Sequence, residues 1–333
     1  MSKIRLAMIG CGGNSSGHAR RMNGNKDVQI VGACDVNTEI ANNYIDRNLP
    51  ELKPRPTAYD DIDKMLAEVK ADAVLISTPH TLHFEQGMKA LDAGCHVFME
   101  KPMVTAAEDA YTIAAKVKES GKIFVVGYNT ACSANFYYLR EQIRNKGLGN
   151  LELVVGYISQ NWMRGTAGKW RQDPALSGGG QAYDSGAHLL NSLCWSVESN
   201  IAEVFAFLDN HGTKVDINSS INVRFGNGVL ASIVVSGNCP SNGTHMGFIF
   251  DNGRVEIDGW SGGWIRVWEG NKQLEKPPVP VELGSSPDDN FIDAILGRAE
   301  PRTSAENGII QCELMDAIYE SGRTGQPAKP KGK

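Results

Sequence analysis

The sequence contains no C-x-x-C pair, no fixed-period repeat and no excess of positive charge. Nor does any apolar run approach the ~18 residues of a membrane span. Each absence narrows the function. The seven cysteines, at 11, 34, 95, 132, 194, 239 and 312, are scattered and odd in number. That excludes a disulfide framework and predicts reduced thiols and a cytoplasmic location. Lys3 to Ile9 is a short apolar stretch that ends in glycines without a cleavage-site pattern, so no signal peptide and no membrane partner are expected. Lys and Arg total 33 against 38 Asp and Glu, a net charge of −5, which argues against nucleic acid as a partner. What is present in excess is glycine, 36 of 333 residues against a usual ~7%. Without a G-x-y repeat this is not collagen, and the glycines must serve turns and close backbone approach. A hydrophobic fraction of 41% with 21% charged residues belongs to a folded chain, and the length suggests roughly two domains at ~150 residues each.

In the first half, short apolar runs alternate with helix-length segments. Ile4–Ile9, Val28–Cys34, Ala73–Ser77, Val97–Met99 and Ile123–Val126 read as strands. Segments ending at Met22, spanning about Ile62 to Val69, and running from the capping-box pattern Thr105–Glu108 to about Ser120 read as helices. This predicts βαβ units and an α/β, doubly wound parallel sheet. From about residue 150 the pattern changes to strands near 151–158, 201–208, 219–225, 229–235, 246–250, 255–257 and 264–268. Asn227-Gly228 and Asn252-Gly253 separate neighbouring pairs, a strong hairpin signal. An antiparallel sheet of at least six strands is expected, with helices near 133–146, 181–194 and 287–296 and one opened by Thr303–Glu306. The basic end, residues 328–333, reads as a flexible tail.

Gly10-Cys11-Gly12-Gly13 follows a strand and opens a helix, the context in which such a motif binds a dinucleotide. Gly10 would permit the tight turn, and Gly12 the approach of a pyrophosphate to the helix N-terminus. The third glycine of the usual fingerprint is replaced by Ser15. Asp35 ends the second strand near the spacing of a ribose-binding carboxylate, and no Arg or Lys follows it until Arg47. NAD is therefore expected ahead of NADP. The competing reading is a plain glycine-rich turn with an N-capping Asp.

These residues open a longer ordered series: Ile9 to Gly13, Gly17-His18-Ala19, Cys34-Asp35-Val36-Asn37, Ser77-Thr78-Pro79 with His83, and Glu100-Lys101-Pro102. It continues with Gly127-Tyr128-Asn129, Trp170-Arg171 with Asp173-Pro174, Ser177-Gly178-Gly179-Gly180, and Asp184, Gly186 and His188. The series resembles the glucose–fructose oxidoreductase/inositol dehydrogenase/MocA family over nearly the whole chain. The resemblance implies a dinucleotide-binding Rossmann domain over 1–128. It also implies a substrate-binding and oligomerisation domain over 129–333, with a large, mostly antiparallel sheet joining homodimers or homotetramers. It implies sugar or cyclitol substrates, with Lys101, Asp184 and His188 as catalytic residues. Cofactor contacts would come from Gly10, Cys11, Gly12, Gly13, Asn14, Asp35, Ser77, Thr78, Pro79, His83, Glu100, Lys101, Asn129, Trp170 and Arg171. Substrate contacts would come from Lys101, Tyr128, Asp184 and His188, and Tyr157 and Trp162 join them by their nearness in sequence.

Asp184 and His188, four apart on the expected helix, would share one face, and His188 would take the hydroxyl proton as hydride leaves. Lys101 would stabilise the developing alkoxide. Asn191 stands where relatives often carry Asp, so any charge that tunes His188 must come from Asp184. Thr130-Ala131-Cys132, where relatives often carry basic residues, favours a neutral polyol, while Arg164, Lys169 and Arg171 leave an acidic substrate open. Taken alone, Lys101 reads more readily as a solvated loop lysine, and the Asp/His pair as an ordinary hydrogen bond. A metal held with His80, His83 or His96 matches no zinc spacing, so none is expected. His18, His96, His211 and His245 have no nameable partner and read as structural. Two other functions stand beside the dehydrogenase: a redox-neutral enzyme that retains NAD for epimerisation or glycoside cleavage, and a non-catalytic NAD-binding sensor.

Overall fold

The computed structural model describes residues 2–280 and 286–332. The chain forms two compact units, one of residues 2–127 with 286–306 and one of 128–280 with 307–332.

In the first unit, strands β1 (Ile4–Ile9), β2 (Val28–Cys34), β3 (Thr57–Tyr59), β4 (Ala73–Ile76), β5 (His96–Met99) and β6 (Phe124–Val126) form one sheet in the order β3-β2-β1-β4-β5-β6. Every pairing is parallel. Such a sheet is covered by helices on both faces, and accordingly all four residues of β4 are buried. The strand order reverses between β1 and β4, and Gly10 and Ser77 follow their carboxyl ends. This is the Rossmann arrangement expected from the alternating sequence. Elements that went unread in the sequence include β3, the helix His83–Asp92 and the helix Thr38–Asn48. The last of these buries only Ala41, Tyr44, Ile45 and Asn48 and is started by Asn37 accepting from the Ile40 N–H, so its apolar signal is thin.

The expected division into 1–128 and 129–333 needs one correction. Ser286 and Asp289 form a capping box that starts the helix Pro287–Ile295, and that helix packs Phe291 and Ile292 into the core of the first unit. Phe291 meets Phe98 edge-on at 5.7 Å between ring centroids. Thr303, expected to cap a helix, is buried and donates its hydroxyl to the Val126 carbonyl at 2.6 Å, and the helix begins at Ala305.

In the second unit, β7 (Leu151–Ser159), β8 (Ile201–Asp209), β9 (Asn218–Phe225), β10 (Leu230–Ser236), β11 (Gly243–Phe250), β12 (Gly253–Ile257), β13 (Ile265–Glu269) and β14 (Lys272–Gln273) form a second sheet. Their order is β14-β13-β12-β11-β7-β10-β9-β8. All pairs are antiparallel except β7 with β10. Both Asn-Gly signals fall at the hairpins they predicted, β9–β10 and β11–β12. At the first, Gly228 has φ +92°, a conformation that costs other residues about 1–2 kcal/mol. One face of the sheet, with Val154, Ile158, Ile221, Ile233 and Phe248, packs on the helix Gly186–Val197 and forms the core. Every residue of that helix is buried. The opposite face carries Leu153, Val155, Tyr157, Phe207, Leu230 and Val234 exposed.

The tail expected from 328 starts later. Ala328 is buried and exchanges both backbone hydrogen bonds with Val204 at 2.8 Å. Lys333 lies outside the described residues. Among the described residues no helix is long and apolar enough to cross a membrane.

Candidate active site

The first unit carries a dinucleotide cradle at its topological switch point. Gly10 has φ +90°, and a Cβ there would lie 2.5 Å from the Ser77 carbonyl oxygen, so the fold itself demands this glycine. Gly12 and Gly13 are different. Neither has a positive φ, and a Cβ on either would meet nothing within 4 Å. Their smallness answers to no neighbour in the protein, so packing does not demand either glycine. Gly12 caps the helix Gly13–Gly24 with no side-chain hydrogen bond and no acidic residue in the first turn. Its N-terminal N–H groups and dipole therefore face outward, as an anion requires. Asn14 is exposed beside them.

Asp35 follows β2, its Oδ2 accepting from the Cys11 N–H and its Oδ1 from the Val36 N–H, both at 2.7 Å. The carboxylate is thus fixed against the glycine turn, where the ribose of a bound dinucleotide would lie. Arg47, the first cation after it in sequence, reaches Ser16 Oγ at 3.4 Å. Burial and the Asp35 charge push the Cys11 thiol up to about 12, and burial with Asp35 does the same to Cys34, so both stay protonated. Ser77, Thr78 and Pro79 are half-buried after β4, with the Thr78 hydroxyl donating to Gln86 Oε1 at 2.6 Å.

Two expected cofactor residues make contacts within the protein. His83 is fully buried, with Nδ1 2.8 Å from the Pro102 carbonyl and Nε2 3.0 Å from that of Thr78. Burial lowers its pKa despite these contacts, so the ring is neutral and its single N–H donates to only one of the two carbonyls. Glu100 is buried and bonded to His18, while its Oε2 accepts from the Lys101 N–H at 3.1 Å. His18, read as having no partner, has two carboxylates, since its Nδ1 lies 2.7 Å from Asp288. Lys101 is half-buried on the turn after β5.

The second unit holds the proton-transfer candidates. His188 is buried near the start of the helix Gly186–Val197. Its ring stacks on Trp260 at 3.9 Å between centroids and meets Tyr128 edge-on at 5.9 Å. Trp260 was missed in the sequence because nothing local links it to residue 188. Ser192, one turn on, bonds the Gly259 carbonyl at 3.0 Å and Thr130 at 2.8 Å, which anchors both flanking segments to the helix. Asn129 precedes the short turn Thr130–Cys132.

Asp184 is not on the helix. The helix starts at Gly186, and residues 181–185 form a turn instead. The physical cause is Asp216, whose carboxylate captures the N–H groups of Gly180 (2.7 Å) and Ala182 (2.8 Å) and is joined by the Tyr319 hydroxyl. A Cβ on Gly180 would run into the Asp216 backbone, so the glycine run here is demanded by packing. Asp184 Oδ2 accepts from the Trp162 indole at 2.7 Å and from Arg171 Nε at 2.8 Å. Arg171 in turn lies over the Trp170 ring at 4.4 Å. Trp162, expected on the substrate, is buried and orients Asp184. Tyr157 needs the larger correction, because strand alternation puts it on the sheet face opposite the His188 helix, where it stacks on His245 at 6.2 Å. Among the described residues no group of three or more His, Cys, Asp or Glu is placed to hold a metal.

Residues 4–128 match the family model for the GFO/IDH/MocA oxidoreductases with an NAD-binding Rossmann fold. Residues 136–263 match that of the GFO/IDH/MocA C-terminal domain. D-glucoside 3-dehydrogenase of Escherichia coli is 30% identical over 194 residues, 57% of this chain and 53% of that protein, so the chain spans about half the length of this relative. The 1,5-anhydro-D-fructose reductase of Ensifer adhaerens is 25% identical over 288 residues, 80% of this chain and 82% of its own. Among solved structures, an NAD-binding protein from Listeria innocua superposes with a TM-score of 0.82 at 27% identity, covering 99% of this chain and 98% of that one.

Proposed function

The chain belongs to the GFO/IDH/MocA oxidoreductase family, and from that premise we propose that it is an NAD-dependent oxidoreductase acting on a secondary hydroxyl of a neutral sugar or cyclitol. The observation that supports this reading is the glycine turn at the switch point, with Gly12 and Gly13 open and the Asp35 carboxylate fixed against it. Gly10 to Asn14 would hold the pyrophosphate and Asp35 the ribose, with Ser77 to Pro79 and Lys101 along the same strand ends and Asn129, Trp170 and Arg171 as further contacts. The nicotinamide, when bound, supplies the hydride acceptor.

The protein supplies the rest. His188, sandwiched by Trp260 and Tyr128, is held to one ring orientation and takes the hydroxyl proton. Asp184, fixed by Trp162 and Arg171, orients the reacting groups. Lys101 hydrogen-bonds the reacting oxygen and stabilises negative charge as the proton leaves. The relatives named for a glucoside and an anhydro-sugar support the substrate class.

The test is a panel of methyl glucosides, free sugars and inositols assayed for NADH and NADPH formation. Net NADH production with at least one polyol is expected. A stoichiometric bound cofactor that cycles without net reduction would replace this reading by a redox-neutral one. A chain that binds NADH yet turns over nothing would make it a sensor.

A further inference from the structure

We propose that His18 is a positioning residue, an imidazolium bridge between Asp288 and Glu100 that holds the Glu100-Lys101-Pro102 turn in its working conformation. The inference rests on the reading of Lys101 given above. All three residues are buried, His18 at 5%, Glu100 at 8% and Asp288 at 2% exposure. His18 Nε2 lies 2.6 Å from Glu100 Oε1, and Nδ1 lies 2.7 Å from Asp288 Oδ1. Ionised carboxylates only accept hydrogen bonds, so both contacts are satisfied only when each ring nitrogen carries a proton. A neutral ring would aim one lone pair at a buried carboxylate.

The two carboxylates facing the ring favour this state, and the Arg21 guanidinium, a like charge, opposes it. Burial opposes the charge, but hydrogen bonds to Asp288 and Glu100 raise the His18 pKa to about 9. Arg21, one turn along the same helix, bonds Asp288 Oδ2 through Nε at 2.8 Å. Its Nη2 stands 3.0 Å from Nδ1, an unfavourable donor–donor approach when Nδ1 donates to Asp288, which the bond from Arg21 Nε to the same carboxylate offsets. Two cations thus face two anions, which is how a buried cluster of this kind is tolerated. From β5, the Phe98 ring closes the remaining side at 5.1 Å between centroids.

The consequence falls on Lys101. Its own N–H is bonded to Glu100 Oε2, the second oxygen of the carboxylate that His18 grips. On the other side, the Pro102 carbonyl lies 2.8 Å from His83 Nδ1. Lys101 therefore sits between two residues that each contact a histidine, and only His18 faces carboxylates. Loss of the His18 proton would release only the first contact. Misplacement by about 1 Å costs up to about a hundredfold in rate, so this contact would matter to turnover more than to cofactor affinity.

The test is nitrogen NMR of the His18 ring and of the Lys101 amide across pH, in the NAD-saturated protein. The expected result is a doubly protonated ring at neutral pH that titrates near about 9, with the Lys101 amide shifting at the same midpoint. In Asp288→Asn both midpoints should fall together, by about one unit or more. The alkaline limb of kcat for the best polyol of the panel should follow, with KM for NAD changed by less than about threefold. A neutral His18 ring at pH 7, or a Lys101 amide indifferent to the His18 titration, overturns the proposal. The wild-type titration decides even if Asp288→Asn does not fold. Unchanged turnover in Lys101→Ala removes Lys101 from catalysis whatever the NMR shows. Lost turnover there, with no coupling in the NMR, removes the His18 bridge alone.

Discussion

At the scale of single residues, the groups proposed to touch ligands and the groups that hold them in place are different side chains. Lys101→Ala should reduce kcat by about a hundredfold or more with NADH affinity retained, since removal of one oxyanion donor typically costs that much; fluorescence titration with NADH and initial rates check both halves. Asp35→Ser should weaken NADH binding about tenfold, because two ribose hydrogen bonds to a charged group are lost. NADPH should be discriminated against less, the anion that repels a 2′-phosphate being gone. Competitive titration of the two nucleotides reads this directly. His18 also makes stability depend on pH. Its pKa is raised from the usual ~6.5 of an unfolded histidine to about 9. The stabilisation is therefore fully present below about pH 6.5 and disappears as pH rises through about 9. The urea midpoint should fall across that window, and His18→Gln should flatten the fall. None of these pairings could be read from sequence positions, as His18 and Asp288 stand 270 residues apart.

Elements are where local chemistry was most legible. Gly10 and Gly12 belong to one motif but answer to different demands, and substitution separates them. Gly10→Ala should cost about 1–3 kcal/mol of stability, from its positive φ and the contact with Ser77. Gly12→Ala should cost at most about 1 kcal/mol as a helix cap, yet weaken NADH binding about tenfold by filling the open cradle. Thermal unfolding and NADH titration of the two variants check the contrast. The hairpins at Asn227-Gly228 and Asn252-Gly253 were readable because a turn is decided by the few residues within it. The start of the His188 helix was not. Residues 181–185 are ordinary helix formers in part, but Asp216, more than thirty residues on, takes the N–H groups of Gly180 and Ala182 and turns the chain first. The face shared by Asp184 and His188 was thus a helical expectation that a distant carboxylate cancelled.

For the whole molecule, the second sheet leaves an apolar row exposed. Register aligns Tyr157, Val234, Ser220 and Phe207 across β7, β10, β9 and β8, with Val155 and Leu153 on the same face. Apolar surface of this extent is seldom left to water, and we propose that a second copy of the chain covers it, giving the homodimer or homotetramer implied by the family resemblance. Val155→Lys with Val234→Lys should convert the assembly to monomers while leaving secondary structure intact, as light scattering and circular dichroism would show. A wild-type chain that is already monomeric would end this reading.

Composition, alternation and the position of glycines were sufficient by themselves to establish the two kinds of sheet, the hairpins and the glycine turn after β1. Each depends on contacts between residues near in sequence or on a two-residue or 3.6-residue period. Only the tertiary structure decided which side chains serve them. It returned the segment with Asp288 to the first unit, put Tyr157 on the far face, and gave His188 to Trp260 and Asp184 to Trp162 and Arg171. The physical reason is that a buried charge or ring is satisfied by whatever the packed core brings within about 3–4 Å, and no local pattern encodes what that will be.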